Sequence, residues 1–187
     1  MAKISTNDLR SGMVVLLEGA YYLVLEASHY KPGKGQAFVR TRLKDLKTGM
    51  TVDKNLRADE DIERPFFEKK PGIFLYRSGP SFHFMESETF EEVTLNEDVV
   101  GDSARFLKEN SEVFFLSVEH QILGIELPTF IELKVVDAPP GVKGDTVSGG
   151  SKLVTLETGA QIRVPLFIKQ GDVIQVDTRT GEYVRRV

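Results

Sequence analysis

The chain has 187 residues, of which 41% are hydrophobic and 28% charged, a composition typical of a globular protein with a substantial core. It contains no cysteine, which excludes disulfides, thiolate metal sites and cysteine nucleophiles. No apolar run reaches the roughly 18 residues of a membrane-spanning helix, and the N-terminal segment MAKISTNDLR is polar, unlike a secretory signal. We therefore expect a cytoplasmic protein with no membrane partner.

The charges are distributed unevenly along the chain. Residues 29–57 contain eight basic and two acidic residues, residues 65–128 contain five and twelve, and residues 129–187 contain eight and seven. The basic segment near the N-terminus would attract a polyanion. Random scatter of surface charge remains an alternative explanation.

The first segment of the chain reads as a small β-barrel. Runs rich in Val, Leu, Tyr and Thr predict four strands, Met13–Leu17, Ala20–Leu25, Ala37–Leu43 and Met50–Asn55. Tight turns are predicted at Glu18-Gly19 and Thr48-Gly49. Short strands at this spacing indicate an SH3-like domain over residues 1–64.

One predicted strand of this domain alternates cleanly between its two faces. In AFVRTRL, Arg40 and Arg42 share one parity with Phe38. The alternate residues have the other parity: Val39, Thr41 and Leu43. One face of the strand is therefore expected to be solvated and basic.

The second segment, residues 65–128, predicts a further barrel of the OB type. A strand, a turn at Ser78-Gly79-Pro80 and a second strand are followed by two helix candidates, at Ser87–Val93 and Ala104–Lys108. The run EVFFLSVEHQILGIELP then predicts a hairpin that ends at Pro128.

The third segment, residues 129–187, predicts another OB barrel. A long loop rich in Gly and Pro spans Asp137–Lys152. Strands follow, with turns at Glu157-Thr158-Gly159, Gln170-Gly171 and Thr180-Gly181. The predicted fold class is therefore all-β, with three consecutive small barrels.

Candidate catalytic or metal-binding residues are scarce. The three histidines fall in three different modules, and none has metal-ligand spacing to another. P-loop, Rossmann and G-x-S-x-G motifs are missing from the sequence. We expect neither a catalytic residue, nor a metal, nor a cofactor.

Three features remain as candidate contacts to nucleic acid. The segment Lys31-Pro32-Gly33-Lys34-Gly35 places an amine between two small residues after a stiff proline, so Lys34 could enter a narrow phosphate-lined space. An ordinary basic hairpin tip explains it equally well. The glycine-rich residues 141–150 could offer backbone amides and the Lys143 charge, or form a plain surface loop. Tyr183 near the C-terminus could stack on a base beside Arg185 and Arg186, or belong to a final core strand.

The sequence resembles the bacterial elongation factor P family along essentially its whole length. The resemblance depends on four stretches together: SHYKPGKGQAFVRTRLKDLKTG, IELKVVDAPPGVKGDTVSGGSK, TLETGAQIRVPLFIKQGD and the C-terminal VDTRTGEYVRRV. One departure is visible, because the family usually has Pro-Ala after the lysine at position 152, whereas this chain has Leu153 and Val154. We expect a local change in how that strand begins.

The resemblance implies a KOW-type SH3-like domain and two OB domains in an L-shaped, tRNA-like outline. It further implies a cytoplasmic, probe-like factor that binds both ribosomal subunits between the peptidyl and exit tRNA sites and relieves stalling at consecutive prolines. Lys34 matches the family's lysine that reaches towards the CCA end of peptidyl-tRNA and often carries a covalent extension added by a modifying enzyme. Its neighbours on the hairpin would contact peptidyl-site tRNA or the ribosome: Lys31, Pro32, Gly33, Gly35, Arg40 and Arg42.

The resemblance also assigns roles in the third domain. Gly144, Asp145 and Thr146 match a loop near exit-site mRNA, and Tyr183 and Arg186 match positions that touch tRNA. We expect a monomer that is not an enzyme. Two alternatives stay open, namely a generic OB-fold RNA-binding protein that does not depend on Lys34, and a small enzyme.

Overall fold

The computed structural model describes residues 2–33, 35–140 and 150–187. Within these ranges the chain is mostly β-structure, arranged in three sheets of six, five and five strands. The all-β prediction is confirmed. No helix in the described part is long and apolar enough to cross a membrane.

The first sheet has the strand order β1-β6-β2-β3-β4-β5. Its strands are β1 Ala2–Ser5, β2 Val14–Leu17, β3 Ala20–Tyr30, β4 Phe38–Asp45, β5 Thr51–Arg57 and β6 Asp61–Arg64, with a 3₁₀ turn at Thr6–Asp8. The predicted β2–β3 turn is confirmed: Glu18 and Gly19 both have positive φ, at 52° and 81°. Such a turn matches the twist of the two strands that it joins.

The second sheet has the order β11-β10-β7-β8-β9. Its strands are β7 Phe67–Ser78, β8 Ser81–Glu86, β9 Glu92–Asn96, β10 Glu112–Val118 and β11 Gln121–Glu126. The helix predicted at Ser87–Val93 is wrong, because a turn there leads directly into β9, which pairs with β8. Helical structure lies instead at α1 Glu97–Val100 and in a 3₁₀ segment, Gly101–Phe106, so the second candidate is only partly correct.

The third sheet has the order β14-β13-β12-β15-β16. Its strands are β12 Phe130–Asp137, β13 Ser151–Leu156, β14 Gln161–Pro165, β15 Val173–Asp177 and β16 Glu182–Arg186. Leu153 and Val154, which replace the family's usual Pro-Ala, lie in regular β13, where they pair with Arg163 and Ile162. Val154 is buried and Leu153 is half-exposed, as expected for neighbouring strand residues.

The chain divides into two compact units. The first contains Met1–Lys70 and Phe115–Ile125, and the second contains Pro71–Phe114 and Glu126–Val187. The first unit has two apolar clusters. One is inside the N-terminal sheet around Leu9, Val24 and Leu43, and the other joins Val14 and Leu46 to residues of β10.

In the second unit, turns of the third sheet contact the 3₁₀ segment. Thr158 donates its hydroxyl to the carbonyl of Arg105 at 2.7 Å, and Lys108 forms an ion pair with Glu157 at 3.1 Å. Gly181 has φ of +72°, which favours glycine, and a Cβ there would lie at an ordinary contact distance of 3.5 Å from the Phe106 ring. The β13–β14 turn is thus held to Arg105 and Lys108, and the β15–β16 turn lies beside the Phe106 ring.

The β15–β16 turn is organised by one carboxylate. Asp177 accepts hydrogen bonds from Arg179, whose Nη2 lies 2.7 Å from Oδ2 and whose backbone N lies 2.9 Å from Oδ1. The hydrogen bonds from the Arg179 side chain lower the pKa of Asp177 to about 2.

The low pKa of Asp177 makes this turn sensitive to acid. A carboxylate with a lowered pKa in the folded state stabilises the fold above its unfolded pKa, and this contribution is lost as the pH falls from about 4 towards 2. Asp177→Asn should therefore be less stable than the wild type at neutral pH, and its stability should fall less steeply in that window. Thermal unfolding across the pH range measures both effects. Arg179→Gln should give the same shallower dependence, and a wild-type slope in both variants would contradict this role for the pair.

Candidate nucleic-acid interface

The β3–β4 hairpin carries the first group of predicted contact residues. Its paired register runs to Tyr30 and Phe38, so the segment between them forms the connecting loop. In that loop Lys31, Pro32, Gly33 and Gly35 are exposed. Lys34 lies outside the described residues.

The two loop glycines differ in what their positions require. Gly35 has φ of +114°, a conformation that side chains rarely adopt, and its Cβ would lie 3.8 Å from the Pro32 ring. A Cβ at Gly33 would meet open space, and its φ lies outside the positive range. Replacement is therefore strained at Gly35, whereas at Gly33 nothing in the described surroundings demands glycine.

A stacked aromatic pair closes the base of this loop. The rings of Tyr30 and Phe38 are nearly parallel, at 9°, with centroids 5.4 Å apart. Such offset stacks stabilise cross-strand pairs beyond simple burial. The pair restricts how the chain enters and leaves the loop.

The predicted two faces of β4 are confirmed. Val39, Thr41 and Leu43 are buried, and Arg40 and Arg42 are exposed. Inward-facing Thr41 donates its hydroxyl to the carbonyl of Lys54 on β5 at 2.9 Å, which satisfies its buried polar group.

The two arginines of this face are not equivalent. Arg42 lies opposite Asp53 on β5, and its Nε is 3.4 Å from that carboxylate. Arg40, one row nearer the loop, lies opposite Asn55 and forms no ion pair among the described residues. Arg40 therefore presents an uncompensated positive charge.

The predicted contacts of the third domain are only partly described. Gly144, Asp145 and Thr146 lie outside the described residues. Tyr183 is half-buried on β16 opposite Val176, so it is partly a core residue of the final strand. Arg186 is exposed, and its Nη1 lies 3.8 Å from the Asp172 carboxylate.

Phe167 is a surface residue that the sequence analysis missed. It is 57% exposed, yet the next residue, Ile168, is fully buried, and hydrogen bonds within the loop hold Lys169 to Asp172. The guanidinium of Arg186 lies 5.8 Å from the centre of the Phe167 ring. The signal available in the sequence was an apolar PLFI run that leads into a polar turn instead of a strand.

Histidine and carboxylate side chains in the described ranges do not form a metal site. No group of three or more His, Asp or Glu residues there could hold a metal ion. His83 stacks on Tyr76 at 4.4 Å, and its Nδ1 lies 2.8 Å from Glu92. This histidine is thus engaged on the outer surface of its sheet.

By its fold, the chain belongs to the class of all-β proteins that consist of consecutive small β domains. Three family models match: the elongation factor P KOW-like domain over residues 5–62, the elongation factor P OB domain over 67–125, and the C-terminal domain of elongation factor P over 131–186. Together they cover almost the entire chain.

Full-length relatives point to the same family. The chain is 52% identical to elongation factor P of Coprothermobacter proteolyticus, with 98% of this chain and 99% of that protein covered. It is 48% identical to elongation factor P of Moorella thermoacetica, with the same coverage. The chain therefore belongs to the elongation factor P family and is a translation elongation factor.

A solved structure shares the fold. A protein titled eukaryotic translation initiation factor 5A from Methanococcus jannaschii matches with a TM-score of 0.51 at 19% identity, covering 68% of this chain and 92% of that one. At this identity the likeness concerns the fold alone.

Proposed function

We propose that this factor binds both subunits of the ribosome between the peptidyl and exit tRNA sites and stimulates peptide-bond formation at consecutive prolines. The observation that supports this best is the β3–β4 hairpin. The stacked pair Tyr30 and Phe38 lies at the base of its exposed loop, and Arg40, which has no ion-pair partner among the described residues, lies beside that pair. The factor acts in the cytoplasm as a monomer of three domains, over residues 1–64, 65–128 and 129–187.

The mechanism is positioning, not acid–base chemistry. Proline fixes φ through its ring and constrains the nascent chain, which makes it a poor partner in peptide transfer. A factor that steadies the CCA end of peptidyl-tRNA restores a reactive arrangement and lowers the entropic part of the barrier. Lys34, extended by a modifying enzyme, makes this contact, and the protein itself is not an enzyme.

Other residues anchor the factor to RNA. Lys31 and Arg40 contact phosphates beside the hairpin, with a smaller contribution from Arg42. Tyr183 and Arg186 touch tRNA, and Gly144, Asp145 and Thr146 lie near exit-site mRNA. These contacts fix the register of the hairpin on the ribosome and need no base specificity.

A reconstituted translation reaction tests the proposal. The purified factor should raise the yield of a reporter that contains three consecutive prolines and leave a matched reporter with alanines unchanged. An equal effect on both reporters, or no effect on either, would contradict the proposed function.

Arg40 should matter more than Arg42 for ribosome binding. Arg40→Gln removes a free charge, so affinity should fall and the dependence of log affinity on log salt should become shallower by about one unit. Arg42→Gln should cause a smaller change, since Asp53 already compensates that charge. Binding to ribosomes measured at several salt concentrations checks this order, and equal losses in the two variants would show that the Asp53 pair is irrelevant.

A further inference from the structure

Two adjoining clefts lie on the outer face of the first sheet, at the base of the β3–β4 loop. One, of about 260 Å³, includes Glu26, Ser28 and Arg42 in its lining, and the other, of about 300 Å³, includes Phe38 and Asn55. Tyr30, Arg40 and Asp53 line both. We infer that these clefts form a pocket, here called the Tyr30 pocket, for one unpaired RNA nucleotide. The inference rests on the proposed function and adds to it a second contact beside Lys34.

The Tyr30 ring provides a stacking surface. Phe38 packs in parallel against it, yet Tyr30 remains 48% exposed. A ring has two faces, and the partner that covers one face holds the other in a fixed orientation. Unpaired bases stack on such aromatic rings whatever their sequence.

Polar groups lie where the edge of a stacked base would be. Strand pairing places Ser28, Arg40 and Asn55 in one row across β3, β4 and β5, directly next to the row of Tyr30 and Phe38. The Asn55 amide offers both a donor and an acceptor to a base edge.

The lining of the pocket carries two arginines, Arg40 and Arg42, and two carboxylates, Glu26 and Asp53. Arg42 lies 3.4 Å from Asp53 and opposite Glu26, so both carboxylates lie in the row of Arg42, one row farther from the loop than Arg40. Arg57 lies opposite Phe38 and is also exposed. A phosphate can therefore bind at Arg40 while its base stacks on Tyr30.

A second stacked tyrosine provides a contrast. Tyr76 is 44% exposed and stacks on His83 with an angle of 13°. Glu92 lies 2.8 Å from that histidine, and residues 65–128 carry twelve acidic against five basic residues. Tyr76 is therefore a similarly exposed, stacked ring beside a carboxylate instead of an unpaired arginine, which makes it a matched control for Tyr30.

The test uses the full-length protein and a pentaribonucleotide that ends in CCA, with 2-aminopurine in place of the final adenine. Stacking on Tyr30 should quench the 2-aminopurine fluorescence. Tyr30→Leu should weaken binding about tenfold or more, and Tyr30→Phe should stay within about twofold of the wild type, because it keeps the ring. Tyr76→Leu should bind as the wild type does. Wild-type affinity in Tyr30→Leu, or equal losses in Tyr30→Leu and Tyr76→Leu, would overturn the inference.

A second variant guards against a purely structural effect of Tyr30→Leu. Arg40→Gln leaves the aromatic pair intact and should also weaken oligonucleotide binding, with amide NMR signals of Val39 and Leu43 unchanged. If Arg40→Gln binds normally, the pocket does not hold a nucleotide.

The two proposals can fail separately. If the wild type binds the oligonucleotide through Tyr30 but does not raise polyproline synthesis, the proposed function fails and the pocket stands. If it raises polyproline synthesis but Tyr30→Leu binds as the wild type does, the pocket fails and the function stands.

Discussion

Lys34→Ala is expected to reduce the yield of a triple-proline reporter to the level seen without the factor. The amine at this position is proposed to steady the CCA end of peptidyl-tRNA, and a positioning effect is lost when the contacting group is removed. Reconstituted translation of the triple-proline and triple-alanine reporters measures the change. The fold should be unaffected, because the hairpin's paired strands end at Tyr30 and Phe38.

Lys47→Ala is the matched control for this variant. Lys47 is an exposed lysine in the β4–β5 turn, and its backbone amide donates to the Asp45 carboxylate at 2.8 Å, a contact that alanine preserves. It should support polyproline synthesis as the wild type does. Full activity in Lys34→Ala would remove the proposed role of the loop and favour the alternative, an OB-fold RNA-binding protein that does not depend on Lys34.

Phe84→Ala is expected to lower the free energy of unfolding by about 3–5 kcal/mol. Phe84 is fully buried on β8, and its ring centroid lies 5.3 Å from that of Phe74. Truncation removes the apolar contacts and leaves a cavity that the surrounding strands cannot readily close. Since small domains are stable by only about 5–15 kcal/mol, this is a large fraction of the total. Urea unfolding followed by circular dichroism measures it.

Phe90→Ala is the control that shows whether the loss of stability depends on the burial of the phenylalanine or only on its removal. Phe90 is 73% exposed, so its replacement should change the free energy of unfolding by less than about 0.5 kcal/mol. Similar losses in Phe84→Ala and Phe90→Ala would show that the central aromatic cluster does not dominate the stability of this sheet.

Much of the fold could be predicted because its signals are local. Turns such as Glu18-Gly19 depend on residues that accept positive φ, and period-two alternation follows from strand geometry. These two signals predicted the β2–β3 hairpin and the basic face of β4. The family motif also identified the loop that contains Lys34, because a motif is recognised from the sequence without knowledge of the surrounding structure.

The helix predicted at Ser87–Val93 failed for a non-local reason. Its polar, glutamate-rich sequence has acceptable helix propensity, but propensity is a weak prior that tertiary context overrides. Val93 pairs with Phe84, and Leu95, which is buried, pairs with Phe82. Apolar burial on the face of β8 therefore decided the conformation of this segment.

By itself the sequence determined the β class, the hairpins, the charge of the β4 face and the family. Only the tertiary structure decided which side chains become neighbours. Alternation assigns Tyr30, Arg40 and Asp53 to an outer face, but the register between strands sets the Tyr30–Phe38 stack and gives Asp53 to Arg42 instead of Arg40. The register depends on burial and on turns across the whole sheet, so it cannot be predicted from the residues of one strand alone. The free charge of Arg40 and the open ring beside it are consequences of that register.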